Sequence, residues 1–158
     1  MKRIACCLWL ILSLPSMALG LERRDGAYYC TEKFSGGVRY DSALNQWQGA
    51  IFKPGENFVV KLSQTKSSPE VDPKYQDRYY LVTITVEGRS SNGCRLDGRP
   101  PFVDDDGVLR CEVLAGLHIY TFNFDNHRFI TIYTAGYVDG SNNDTPHVAG
   151  GLCTKISQ

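Results

Sequence analysis

The sequence predicts an all-β protein, a single antiparallel β-barrel of about eight strands, with a β-sandwich as the alternative. Three observations carry that expectation. Beyond the first twenty residues no stretch sustains apolar side chains at i, i+3, i+4 and i+7, whereas two-residue alternation recurs from end to end. The 158 residues contain no internal repeat and no linker long enough to separate one domain from another. Cysteines fall on the first and last alternating runs, so a cystine joining them would sit where closure removes both free edges, which favours a barrel over a sandwich.

In chain order, Met1-Lys2-Arg3, the apolar run Ile4 to Leu14 and the small-residue stretch Pro15 to Gly20 have the layout of a secretory signal peptide. Cleavage is expected after Ala18 or Gly20, with Gly20 favoured, leaving 21–158 as one domain. The run is too short for the ~20 residues of a bilayer span, and no second one follows, so no stable membrane insertion is expected after cleavage. Ala27 to Lys33 reads as the first strand. Ser35-Gly36-Gly37 reads as a turn leading through Val38-Arg39-Tyr40 to a loop, Asp41 to Asn45, and a second strand, Gln46 to Phe52. After the turn Lys53 to Glu56, Asn57 to Gln64 sets Phe58, Val60 and Leu62 against Val59, Lys61 and Ser63, one face for a core and one for water. Thr65 to Gln76, with Pro69 and Pro73, reads as a long loop because proline lacks a ladder donor.

Arg78 to Glu87, β-branched and aromatic, reads as a central strand with Tyr80, Val82, Ile84 and Val86 on one face. Gly88 to Gly107 reads as loop, followed by a short strand, Val108 to Leu114. His118 to Phe124 then pairs with His127 to Thr134 across Asp125-Asn126, a connection suited to a type I′ turn. With Phe124 opposite His127, one hairpin face carries His118, Tyr120, Phe122, Phe124, His127, Phe129, Thr131 and Tyr133, and the other Ile119, Thr121, Asn123, Arg128, Ile130 and Ile132. Val148 to Ile156 closes the chain. The architecture expected from this order is a lipocalin-like or similar barrel.

Loss of Cys6 and Cys7 with the signal peptide leaves Cys30, Cys94, Cys111 and Cys153, an even set in an exported chain, read as two disulfides. Of three connectivities, Cys30–Cys153 and Cys94–Cys111 are preferred, the second closing the Gly/Pro/Asp-rich loop between its cysteines. A zinc site of four cysteines lacks any C-x-x-C pair.

The 17 Lys+Arg match the 17 Asp+Glu, so no basic footprint for nucleic acid exists. Removal of Lys2 and Arg3 leaves 15 basic against 17 acidic side chains, a mature net charge of −2 that gives no attraction to anionic lipid. The G-x-S-x-G elbow, H-E-x-x-H, the phosphate loop and the dinucleotide fingerprint are all missing, and no catalytic residue, metal site or cofactor is assigned. His118 and His127 fall at opposite ends of one hairpin, roughly 20 Å apart, too far to share a metal; His147 is placed in a loop. The acidic stretches Asp104-Asp105-Asp106 and Asp139 to Asp144 depart from the EF-hand pattern and read as solvated turns. A hydrolase whose carboxylates meet only on folding stays open as an alternative. Aromatic residues make up 11% of the chain, and their shared faces suggest a barrel interior or mouth that takes an apolar ligand. The candidate ligand-binding residues are Trp47, Phe52, Tyr120, Phe122 and Phe129.

Tyr28-Tyr29-Cys30-Thr31-Glu32-Lys33-Phe34-Ser35-Gly36-Gly37, and Gly136-Tyr137-Val138-Asp139-Gly140 through to Cys153, resemble segments of small exported bacterial β-proteins of unknown function. A weaker resemblance is to periplasmic inhibitors of C-type lysozyme, eight-stranded barrels with an early Tyr-x-Cys and a late cysteine joined across the barrel. That family's inhibitory loop carries Ser-Gly-x-x-Tyr; here Ser35-Gly36-Gly37-Val38-Arg39-Tyr40 has one residue more and lies closer to the first cysteine. The expectation is a periplasmic or secreted, non-enzymatic binding protein for a small apolar ligand or an envelope protein, with lysozyme inhibition as the alternative.

Overall fold

Side chains that alternate apolar and polar along the sequence alternate buried and exposed in space. The computed structural model describes residues 24–65, 77–87, 89, 92–113 and 117–157; the expected signal peptide and most of the loop from Thr65 to Gln76 lie outside them. The described residues form nine strands: β1 (Gly26–Asp41), β2 (Gln46–Phe52), β3 (Asn57–Gln64), β4 (Tyr80–Val86), β5 (Asn92–Cys94), β6 (Val108–Val113), β7 (His118–Asn123), β8 (Arg128–Tyr133) and β9 (His147–Ser157). Eight of them run in the antiparallel order β5-β4-β3-β1-β9-β8-β7-β6 and curl into a nearly closed barrel, while β2 pairs with the far half of β1.

The expected strand faces hold. Phe58, Val60 and Leu62 of β3, Tyr80, Val82 and Ile84 of β4, and Tyr120 and Phe122 of β7 all point into one core. Leu62, Ile84, Leu109 and Phe122 are wholly buried, each contributing about 1.5–3 kcal/mol through the apolar surface it removes from water. Both preferred disulfides are formed, Cys30–Cys153 and Cys94–Cys111, as in a chain that matures in an oxidising, non-cytoplasmic environment.

Five expectations are corrected. The expected meeting of the first and last strands is not among them: β1 and β9 are paired neighbours in the middle of the order, with Cys30 directly opposite Cys153. The ends that meet are β5 and β6. There the Arg95 N–H donates to the Glu112 carbonyl (3.0 Å) and the Glu112 N–H to the Arg95 carbonyl (2.6 Å), beside the Cys94–Cys111 bridge. Further along, Phe102 and Val103 bridge Tyr79 and Leu109, filling the gap between β4 and β6. It follows that β4 is second from the seam rather than central, and that the stretch Gly88 to Gly107 contains a strand, β5.

Ser35-Gly36-Gly37 is strand, not turn: it pairs with Phe52, Ile51 and Ala50 on one side and with Ala149, Val148 and His147 on the other. A Cβ on Gly37 would lie 2.2 Å from the Pro146 carbonyl oxygen, so the missing side chain permits close approach of backbones rather than a reversal. The β7–β8 register is the expected one, His118 opposite Tyr133, but the connection is the four residues Phe124 to His127, with positive φ at His127 (58°) and not at Asp125 or Asn126 as a type I′ turn needs. The Asn123 carboxamide oxygen accepts from Asp125 and Asn126 N–H and holds that turn. His147 opens β9 instead of lying in a loop.

Candidate binding sites

The five residues expected to touch a ligand occupy three places. Tyr120, Phe122 and Phe129 are core. Each packs on Phe58, with ring centroids 5.7, 6.3 and 5.0 Å away, and Tyr120, Phe122 and Phe124 form a ladder at 6.0 and 5.7 Å. An eight-stranded barrel is just wide enough for side chains to fill it, and these rings do so. Trp47 lies on β2 between Tyr40 (5.6 Å) and Tyr137 (5.2 Å). The β1–β2 hairpin that carries it extends beyond β3 and leaves Leu44 and Ile51 exposed, Ile51 at 96%. Phe52 sits at one barrel end, edge-on to His147 at 6.3 Å.

That end gathers polar chemistry. β7, β8 and β9 bring His118, Tyr133 and His147 side by side because each strand pairs with the next at these residues; the two imidazole centroids are 6.4 Å apart. Tyr120 stacks on His118 at 4.3 Å, and its hydroxyl lies 3.3 Å from His118 Nδ1. His118 Nε2 is buried with no hydrogen-bond partner among the described residues. Burial first, then the nearby His147 and Arg89, lowers the His118 pKa to about 4, so this ring is neutral at pH 7. Burial likewise pushes the Tyr120 phenol up and keeps it protonated. The Tyr133 hydroxyl donates to Asp144 (2.6 Å), which raises its pKa. Glu56 pairs with Arg89 (3.1 Å), and Glu32 accepts from the backbone N–H groups of Gly55 and Glu56.

A recess of about 200 Å³ contains Ser35, Glu32 and His147 together. The His147 Nδ1–H donates to the Thr145 carbonyl (3.0 Å) and not to a carboxylate, and no hydrogen bond joins Ser35 to His147 among the described residues, so the base is oriented but no nucleophile is engaged. The acidic stretches are backbone-capped turns. Asp104 accepts from Asp106 and Val108 N–H, and Asp139 accepts from Ser141 and Gly136 N–H, which lowers the Asp139 pKa.

A second concavity, more than twice the volume of that recess, lies on the outside of the barrel. Between Glu32 and Phe34 the β1–β9 register slips by one, leaving Lys33 as the extra residue of a bulge. The slip turns Phe34 outward over Gly150, where a Cβ would meet the ring at 2.4 Å. From there a groove of about 540 Å³ crosses β9, β8, β7 and the start of β6, walled by Phe34, Ile130, Leu152 and Val108, with Lys33 and Arg128 at its sides. Sequence reasoning missed these residues, although one signal was present. Ile119, Ile130 and Ile132 make the second face of the hairpin apolar too, which a sheet with one face in water does not require. Compared with known proteins, the chain matches no family model, no curated protein and no solved structure.

Proposed function

We propose that the chain is an exported, non-enzymatic binding protein, periplasmic or secreted, that holds a small apolar ligand in the groove on its outer face. The observation that carries this reading is the groove itself. Its 540 Å³ falls within the roughly 300–1,000 Å³ of small-molecule sites, and its walls expose Phe34 at 57%, Leu152 at 47% and Ile130 at 39%. Exposed apolar surface gathered in one concavity marks interaction. The interior supports the same conclusion from the other side, since the rings there already contact one another. The test is titration of the mature, disulfide-bonded protein with N-phenyl-1-naphthylamine, a neutral dye that fluoresces in apolar sites. Saturable enhancement, lost in an Ile130→Glu/Leu152→Glu variant that melts normally, is expected; no enhancement, or enhancement that survives in the variant, ends the proposal.

A second reading, docking of an envelope protein as in lysozyme-type inhibition, is favoured by the protruding β1–β2 hairpin, whose Leu44 and Ile51 stand in solvent and whose Trp47 packs on the exposed Tyr137. Slowed clearing in a lysozyme turbidity assay supports it. Unchanged clearing at large molar excess removes lysozyme as the partner.

A further inference from the structure

We infer that the groove on the outer face selects a free, single-chain anionic amphiphile, a carboxylate head on one alkyl chain; this rests on the reading of the groove as an apolar ligand site and names its ligand class. The charge arrangement points there. Two cations, Lys33 on β1 and Arg128 on β8, flank the groove on the strands either side of β9, and the lining residues include no acid. The ion pairs among the described residues engage Arg24, Arg78 and Arg89, and neither Lys33 nor Arg128 belongs to one. Both are exposed.

Each cation is put there by the backbone. Lys33 is the unpaired residue of the bulge, so it leaves the strand beside Phe34 instead of alternating away from it. Arg128 is fixed by its pairing with Asn123 on one side and Leu152 on the other, at the end of β8 next to the Phe124 to His127 turn. Its planar fork matches a carboxylate with two parallel hydrogen bonds. An alkyl chain extending from that head would lie along Leu152 and Ile130 toward the Phe34 ring, which itself covers Gly150. A neutral apolar ligand would use the walls and leave both cations idle. A bilayer is a poorer match: the groove is the size of one small ligand, and the mature net charge of −2 opposes approach to an anionic membrane.

The experiment displaces N-phenyl-1-naphthylamine from the mature, disulfide-bonded chain with dodecanoate, 1-dodecanol or dodecyltrimethylammonium, three heads on one chain length. Dodecanoate is expected to bind about tenfold more tightly than dodecanol, with the ammonium weakest. Raising salt from about 0.05 to about 0.5 M should narrow that gap by screening. Lys33→Gln/Arg128→Gln, two exposed changes whose folding is checked by melting, should bring dodecanoate down to the level of dodecanol. Equal binding of dodecanoate and dodecanol by the unsubstituted chain overturns the inference while the apolar-site reading stands, and no displacement by any of the three overturns both. Co-flotation with phosphatidylglycerol vesicles without displacement by dodecanoate overturns it in favour of a lipid surface.

Discussion

Removing the Cys94–Cys111 bridge by Cys94→Ala/Cys111→Ala should open the barrel at one place, and removing Cys30–Cys153 should not. Loop-closure entropy alone ranks them the other way. Sequence separations of 17 and 123 correspond to about 3 and about 5 kcal/mol of denatured-state constraint respectively. For a domain of this size those figures convert to losses of about 10 and about 15 °C in Tm. The folded state distinguishes them in a different manner. Cys30 and Cys153 face each other within the most extensively paired strands of the sheet, β1 and β9, so neighbouring ladder bonds keep those strands together when the sulfurs are gone. Cys94 and Cys111 sit where β5, three residues long, meets β6 through the two Arg95–Glu112 backbone bonds. At a net ~1 kcal/mol each, those bonds do not hold a seam closed unaided. Amide hydrogen exchange read residue by residue is the assay. In the Cys94/Cys111 variant the Arg95 and Glu112 amides should exchange through local opening, far faster than the β1 and β9 amides. In the Cys30/Cys153 variant all slow amides should accelerate together, by an amount set by the drop in global stability. Undisturbed protection at Arg95 and Glu112 after loss of Cys94–Cys111 would show that the seam is held by something else and refute the reasoning.

Acid should destabilise the fold through His118. Its folded pKa, about 4, lies below the unfolded value of 6.5 because burial disfavours the charged ring, so the unfolded chain binds more protons between those values and stability falls as pH drops from 6.5 toward 4. His118→Gln should flatten the Tm–pH curve across that window, and an NMR titration placing the His118 midpoint near 6.5 would contradict the burial argument. Gly37→Ala should cost about 1–3 kcal/mol in chemical denaturation, because its Cβ would meet the Pro146 carbonyl at 2.2 Å. Phe58→Ala, at the centre of three ring contacts, should cost about 3–5 kcal/mol. Ile51→Lys, at 96% exposure, should stay within about 0.5 kcal/mol of the parent in chemical denaturation.

The strands were legible wherever a local rule suffices. Alternation decides which face of β3 and β4 is buried because successive side chains must point to opposite sides, and Phe58, Val60, Leu62, Val82 and Ile84 obey it. The β7–β8 register was legible from the short connection, although the turn type was not: Asn123 captures the turn amides with its side chain and moves the positive φ to His127. Position in the sheet was not legible. Nothing within Arg78 to Glu87 records that β4 stands beside the seam, because sheet order is fixed by which edges meet. Ser35-Gly36-Gly37 misleads for a related reason. Glycine marks both turns and close backbone approach, and only the path of Pro146 and His147 across Gly37 distinguishes the two. The meeting of His118 with His147 was hidden behind the same fault, since a histidine placed in a loop has no register partner, whereas Tyr133 pairs with both residues.

Placement of the proposed ligand follows from how a narrow barrel divides its apolar residues. With Tyr28, Phe58, Tyr120, Phe122, Phe124 and Phe129 all turned inward, the aromatic stripe is consumed by folding, and admitting a ligand there would cost the ring contacts that close the core. The outward residues have no such employment. Ile119, Ile132, Val148, Gly36 and Ile51 lie in one register row across β7, β8, β9, β1 and β2, and Ile130, Gly150 and Phe34 in the next. A wholly solvated sheet face would be expected to carry Thr, Lys and Glu throughout such rows, whereas here polar side chains stand only at their β6 and β7 ends, as Glu112, Arg110 and Thr121. The bulge at Lys33 breaks the row at one point and produces both a wall and a charge. That coincidence is what distinguishes a shaped site from apolar surface left over, and it predicts that deleting Lys33, the extra residue, leaves Phe34 opposite Gly150 and outward, so that dye binding persists while carboxylate selectivity falls; loss of dye binding in a deletion variant that melts normally would refute it.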